Sequence, residues 1–135
     1  MSNPMKQHGA FSWNELMTSD IDGAKAFYAA LFGWKLEDMS STEDMVYTIA
    51  KVGDREVAGM MATPPEAAGK PPSWGAYVTV DDVDASAAKA AELGGNVLVG
   101  PQDIPKVGRF CVIQDPQGAV VSMITYSEEC VNSAD

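Results

Sequence analysis

Two successive stretches of the chain show the same order of hydrophobic and polar patterns. In the first stretch, an alternating run at 13–18 predicts a strand, and apolar residues at helical spacing predict a helix after it. Ser19 or Asp20 offers the N-cap of this helix, and Gly33 supplies its left-handed C-terminal position. The apolar residues at helical spacing are Ala26, Phe27, Ala30 and Leu31. Strands are predicted next at 34–39, 45–52 and 56–62, the last two joined by a hairpin at Gly53-Asp54.

The second stretch follows the same order. A strand at 74–80 precedes an alanine-rich helix at 85–93, for which Asp81 or Asp82 is the predicted cap. Further strands are predicted at roughly 96–100, 108–114 and 119–125, and the last hairpin turns through Asp115-Pro116-Gln117-Gly118. Between the two stretches, residues 63–73 hold four of the eight prolines, which predicts a linker.

The repeat is also visible in the letters of the sequence. SDIDGAKA from Ser19 aligns with DDVDASAA from Asp81 at an offset of 62, and YTIAKVGDREVAGMM from Tyr47 aligns with FCVIQDPQGAVVSMI from Phe110 at an offset of 63. The helix of a βαβββ unit covers only one face of its sheet, so two units gain by sharing the other face. We therefore predict an α+β fold in which two βαβββ modules in tandem form a curled half-barrel sheet. A helix lies on the outside of each module, and the concave face is a pocket.

The expected organisation is a single domain. Module 1 covers about 11–62, the linker 63–73 and module 2 about 74–126, with terminal tails at 1–10 and 127–135.

Composition excludes several kinds of partner. The 46% hydrophobic content is that of an ordinary globular protein. Nine basic residues against 19 acidic ones give a net charge of −10, which argues against nucleic acid and against an anionic membrane surface. The start of the chain lacks the apolar stretch of a secretory signal, so we expect a cytoplasmic protein whose Cys111 and Cys130 are reduced. On its strand, Cys111 is expected to be a packing thiol.

Three segments carry a family resemblance: TSDIDGAKAFYAALFGW, VDDVDAS with AAELGG, and VGRFCVIQDPQGAVVSMI. They resemble the vicinal oxygen chelate superfamily, which includes glyoxalase I, extradiol dioxygenases, fosfomycin-modifying enzymes and bleomycin-resistance binding proteins. The resemblance runs from about Phe11 to Tyr126. It implies the tandem-module fold and a homodimer, and leaves the activity open because this scaffold supports unrelated chemistries.

The positions that hold metal in this superfamily are occupied differently here. Metal-using members place His, Gln or Glu at the start of each module's first strand and Glu near the end of its last strand. The matching positions hold Trp13, Gly75, Gly59 and Ser122, none of which is a credible metal ligand. This departure from the superfamily's pattern predicts a site without metal, and no other cofactor is expected. His8, the only histidine, is expected to be solvated in the N-terminal tail.

Alternation along the strands predicts which side chains share the concave face. Trp13 and Glu15 lie on one face of their strand with Met17, and Tyr47 and Phe110 are repeat counterparts. Glycine at two positions is expected to make room for a ligand. The predicted ligand-binding residues are Trp13, Glu15, Tyr47, Gly59, Gly75, Tyr77, Phe110 and Ser122. The alternative is that these side chains only fill the face as core or as a dimer interface. Phe27 and Tyr28, on the helix, are expected to be core residues.

Glu15 is the one acid among these residues. In apolar surroundings it could act as a general base or hold a ligand's ammonium group; alternatively it pairs with a basic residue such as Arg109. Arg109 itself is either a solvated strand residue or an anchor for a ligand carboxylate.

Three functions follow from these observations. The first is a metal-free small-molecule-binding protein resembling the bleomycin-resistance, drug-sequestering members, with a bulky aromatic or cationic ligand. The second is a glyoxalase-like lyase or isomerase that uses Glu15 as general base or holds a metal at atypical positions. The third is a structural or regulatory dimer. The sequence leaves open whether a reaction is catalysed, which ligand is bound, and whether one chain or two form the pocket.

Overall fold

A computed structural model describes residues 3–42, 45–64, 69–104, 107–128 and 130. The chain divides into two compact units. One, the continuous unit, is Trp13–Gly75; the other, the discontinuous unit, joins the residues up to Ser12 to those from Ala76 onward.

The continuous unit is built around one helix and four strands. They are β1 (Phe11–Thr18, whose first two residues belong to the other unit), α1 (Ile21–Phe32), β2 (Lys35–Thr42), β3 (Met45–Val52) and β4 (Arg55–Ala62). The strands lie in the order β2-β3-β4-β1. β1 and β4 are parallel, and the other two pairs are antiparallel.

The discontinuous unit has the same plan. It contains β5 (Ser73–Thr79, whose first three residues belong to the continuous unit), α2 (Val83–Glu92), β6 (Asn96–Ile104), β7 (Gly108–Gln114) and β8 (Val120–Tyr126). The strands lie in the order β5-β8-β7-β6, with β5 parallel to β8. A 3₁₀ turn, Pro4–Lys6, precedes them in the chain.

The α+β class and the two βαβββ modules are confirmed. The predicted limits of β3 and β7 match, and β6 is longer than predicted. Pro101 cannot donate to a ladder, but a shift of register between Val99 and Gln102 lets pairing continue past it, with Gln102 opposite Phe110.

The ends of α1 are those that its sequence predicts. The side chain of Asp20 accepts a hydrogen bond of 2.9 Å from the Gly23 N–H, and Gly33 has a φ of 72°. α1 packs through Ile21 and Tyr28, together with Ala24, on a cluster of Leu16, Ala50, Ala58 and Met60.

The prediction that Phe27 is a core residue is wrong. Phe27 is 58% exposed, and Leu31 and Phe32 are each 57% exposed. α1 is apolar on almost every side, so the spacing of its apolar residues does not single out the packed face. Tyr28 is half-buried and contacts the rings of Phe27, Phe32, Trp34 and Trp74.

α2 covers the second core cluster. Asp82 caps it by accepting from the Ala85 N–H at 3.2 Å. Val83 and Ala87 pack on Val80, Cys111 and Met123. Cys111 is fully buried, which confirms its predicted role as a packing thiol. Within the described part of the chain, no helix is long and apolar enough to cross a membrane.

Candidate functional site

A series of hydrogen bonds links three side chains of the continuous unit. The indole Nε1–H of Trp13 donates to the hydroxyl oxygen of Tyr47 at 2.8 Å. The Tyr47 hydroxyl in turn donates to Oε2 of Glu15, also at 2.8 Å. Trp13 and Glu15 share one face of β1 because they are two residues apart, and Tyr47 reaches them from β3. All three are half-buried. We call these residues the relay.

Gly59 allows the relay to form. It lies on β4, between β1 and β3, opposite Glu15 in one ladder and Ile49 in the other. A Cβ atom at Gly59 would fall on the hydroxyl and ring of Tyr47. The expected room at Gly59 therefore exists, but the ring of Tyr47 fills it rather than leaving it for a ligand.

Gly75 is the opposite case. Apart from the adjacent residues, the atom nearest to a Cβ atom there would be the carbonyl oxygen of Glu15, at 4.0 Å. Its backbone has no positive φ, and the residue is exposed. Gly75 therefore leaves open space beside the backbone of Glu15.

The three other predicted site residues lie in the discontinuous unit. Tyr77 on β5 is paired with Ser122 on β8, and Phe110 on β7 is opposite Ile124. Tyr77 is buried, while Phe110 and Ser122 are half-buried.

Arg109 is held by two carboxylates of the same unit. Its Nε and Nη2 donate to Asp84 at 3.0 and 3.1 Å, and its Nη1 donates to Asp103 at 3.0 Å. The hydrogen bonds with Asp84, then those with Asp103, raise the pKa of the guanidinium above its ordinary value. Because each of its three nitrogen atoms has a carboxylate partner, the structure favours a structural role for Arg109 over a ligand anchor.

The residues present do not fit the superfamily's metal. Trp13 offers an indole N–H, a donor that is directed at Tyr47, and the two glycines offer no side chain. Among the described residues, no group of three or more His, Cys, Asp or Glu side chains could hold a metal ion.

His8 is exposed, as predicted, but it also accepts a hydrogen bond that the sequence did not predict. Its Nδ1 accepts a hydrogen bond of 2.9 Å from the Asp81 N–H. The neighbouring backbone pairs with Thr79, through Gly9 N–H at 2.7 Å and the Ala10 carbonyl at 2.8 Å. These bonds attach the N-terminal residues to the discontinuous unit.

The attached N-terminal residues also line a cavity that no sequence pattern predicts. It has a volume of about 400 Å³ and lies where the parallel strands β5 and β8 end. Its lining is Met5, Lys6, Thr79, Val80, Asp81, Thr125, Tyr126 and Glu128. The cavity was not predicted because residues 1–10 were expected to be a terminal tail.

The family follows from a comparison with known proteins. Residues 10–123 match the Glyoxalase/Bleomycin resistance protein/Dioxygenase superfamily. The chain belongs to this superfamily, as its resemblance to the vicinal oxygen chelate proteins implied.

Two relatives with substantial identity come from Mycobacterium and Streptomyces. The chain is 46% identical to "Putative glyoxylase CFP32" of Mycobacterium tuberculosis over 120 residues, which are 89% of this chain and 45% of that protein. It is 34% identical to the anthracycline biosynthesis protein DauV of Streptomyces sp. strain C5, over 94% of this chain and 45% of DauV. The chain thus spans less than half the length of these relatives.

Solved structures share the fold at low identity. A methylmalonyl-CoA epimerase from Mycobacterium tuberculosis superimposes with a TM-score of 0.65 at 15% identity, covering 92% of this chain and 91% of the epimerase. A hypothetical protein, BH1468 from Bacillus halodurans, gives 0.67 at 11% identity, covering 90% and 97%. At these identities the likeness establishes the fold alone.

Proposed function

We propose that this protein binds a small organic molecule, without a metal, at the face that carries the relay. The observation that supports this most directly is the relay itself, in which Trp13 and Tyr47 orient the carboxylate of Glu15. A few oriented polar groups among aromatic side chains are typical of small-molecule sites. Gly75 leaves open space beside the backbone carbonyl of Glu15.

The proposed ligand is flat and aromatic. Trp and Tyr rings stack on planar molecules and attract cations at their faces. The relatives DauV and DnrV are named for anthracycline biosynthesis, and anthracyclines contain a flat aromatic ring system. The proposal thus resembles the drug-binding, bleomycin-resistance type of function within the superfamily. For Tyr77, Phe110 and Ser122 of the discontinuous unit, a role in ligand binding stays a prediction.

Ligand binding can be tested with the relay variants. A thermal-shift screen of aromatic compounds, followed by calorimetry, should find a ligand tighter than about millimolar, which raises the unfolding temperature by mass action. Trp13→Phe and Tyr47→Phe should each weaken the binding of that ligand. Trp74→Phe is the matched control, because Trp74 lies in the same unit but donates to Tyr28 instead, at 3.1 Å. A screen without any ligand, or equal weakening by all three variants, would contradict the proposal.

The second candidate is a glyoxalase-like isomerase or lyase with Glu15 as general base. Two observations favour it: the Tyr47 hydroxyl orients the Glu15 carboxylate, and the 46% identical relative carries a glyoxylase name. The carboxylate would remove a proton from a carbon next to a substrate carbonyl and return it to the isomerised product. An isomerase activity that survives Glu15→Gln unchanged rules this role out. The other version of this candidate holds a metal at atypical positions. Elemental analysis of protein purified without chelator tests it, and protein without bound metal would contradict it.

A cytoplasmic homodimer remains part of the proposal. The exposed apolar face of α1, formed by Phe27, Leu31 and Phe32, is the kind of surface that a second copy covers. Sedimentation analysis should give a dimer for the parent protein and a monomer for Phe27→Ser/Leu31→Ser. A monomeric parent protein would refute the dimer without affecting the ligand proposal.

A further inference from the structure

The relay has a direction that side-chain chemistry dictates. An indole Nε1–H can only donate, so the first bond runs from Trp13 to the oxygen of Tyr47. An ionised carboxylate can only accept, so the second runs from the Tyr47 hydroxyl to Glu15. The order Trp13, Tyr47, Glu15 therefore holds for an ionised Glu15 without any choice of hydrogen positions.

This direction determines what the relay offers to a ligand. The single N–H of Trp13 and the single O–H of Tyr47 are both used inside the relay. Acceptor capacity is different, because a carboxylate has about four lone-pair sites and can accept several hydrogen bonds at once. The relay therefore presents acceptors, and negative charge, at its Glu15 end.

Two lysines of the continuous unit are paired with carboxylates other than Glu15. In the continuous unit, Lys25 donates to Asp38 at 2.9 Å and Lys51 to Glu37 at 2.7 Å. The net charge of the chain is −10. The summed field favours cations and disfavours anions near the surface.

We infer that the relay selects ligands that carry a hydrogen-bond donor, best a protonated amine on an aromatic ring system, and rejects ligands that present a carboxylate there. The inference deepens the proposed function and rests on it.

The test uses three probes of one shape. They are 2-naphthylmethylamine, protonated at neutral pH, the neutral acceptor 2-acetylnaphthalene, and 2-naphthoate. Calorimetry with the intact chain at low salt should show the amine binding at least about tenfold more tightly than the ketone, since a hydrogen bond between charged groups is stronger than one between neutral groups. The carboxylate should bind most weakly of the three.

Two variants should change this order in different ways. Glu15→Gln removes the charge and adds an N–H donor, so the amine loses its advantage and the ketone binds at least as well as before. Tyr47→Phe takes away the acceptor of the Trp13 N–H, so that N–H becomes available to the ketone and the carboxylate. The preference for the amine should therefore shrink in this variant too. Thermal unfolding checks that both variants fold.

The outcomes separate the preference for a donor from the proposed ligand site. Equal affinity for the three probes, or an amine preference unchanged in Glu15→Gln, overturns the inference and leaves the proposed ligand site standing. No binding of any probe overturns the inference together with the aromatic part of the proposed function.

Discussion

The hydroxyl of Thr48 donates a hydrogen bond of 2.7 Å to Oδ1 of Asp38. Thr48 is fully buried on β3, whereas the Asp38 side chain on β2 is about half exposed. The same carboxylate accepts from Lys25 Nζ on α1, at 2.9 and 3.2 Å. One carboxyl group thus ties the helix to two strands of the continuous unit.

Thr48→Val should change the acid stability of the protein. The Thr48 hydrogen bond, then Lys25, lowers the pKa of Asp38 below its ordinary value of 3.8. Because the pKa of Asp38 is lowered in the folded state, its ionised carboxyl group stabilises the fold at pH values above the ordinary pKa. This stabilisation is lost as the pH falls through the folded-state pKa. Thr48→Val should raise the pKa of Asp38 and lower the free energy of unfolding at pH 7 more than at pH 3. NMR titration of the carboxyl carbon and urea unfolding at both pH values measure this. An unchanged Asp38 titration would show that the hydroxyl does not set it.

Gly59→Ala should destabilise the protein by about 1–3 kcal/mol, the usual penalty for overpacking. The new methyl group would fall on the Tyr47 ring, so the ring must leave Glu15. Gly75→Ala is the matched control, because its methyl group has space and its backbone is not strained. Urea unfolding should show little change for Gly75→Ala, within about 0.5 kcal/mol.

A second variant checks that cause. Gly59→Ala combined with Tyr47→Ala removes the ring that the methyl group strikes, so Gly59→Ala should be less destabilising in that background than in the parent. Equal destabilisation in both backgrounds would place the problem in the backbone instead.

Cys111 should make the protein less stable at alkaline pH. Burial, and then the charge of Asp84, raises the pKa of its thiol above the ordinary value of 9.0. Above that value the unfolded chain loses the thiol proton while the folded chain keeps it, so the free energy of unfolding falls as pH rises. Cys111→Ala should lower stability at neutral pH and flatten this alkaline limb. Urea midpoints between pH 7 and 10 measure both effects; an identical alkaline slope in the variant would assign the loss to other groups.

Asp20→Ala should lower the free energy of unfolding by about 1 kcal/mol, since the N-cap acceptor for the Gly23 N–H is lost. Asp20→Asn is the control, because asparagine caps a helix about as well. The two variants should differ clearly in thermal unfolding. If both lose the same stability, the charge of Asp20 matters more than its hydrogen bond.

Much of the fold was predictable because the sequence contains an internal repeat. The caps Asp20 and Asp82 and the strands 45–52 and 108–114 follow from local chemistry. For the site, alternation placed Trp13 and Glu15 on one face, and the structure brings Tyr47 to them.

The rest depended on information that no local pattern contains. The relay requires a strand register in which Gly59 lies opposite Glu15 on one side and Ile49 on the other. Such a register depends on the pairing of segments that are far apart in the sequence. The packed face of α1 was missed because helical periodicity does not single out one face of a helix that is apolar on almost every side. The bond from Asp81 N–H to His8 joins residues 73 positions apart, so nothing near His8 signals it.

The division of the chain has a consequence for the order of folding. The continuous unit is one uninterrupted segment, 13–75, and emerges whole from the ribosome before the other unit is complete. The discontinuous unit must bring residues 3–12 back to β5 and β8 across that segment, which costs loop-closure entropy unless the segment has already condensed. Early collapse of the Trp13–Gly75 segment would shorten this loop. The relay residues would then come together before residues 3–12 can bond to β5 and β8.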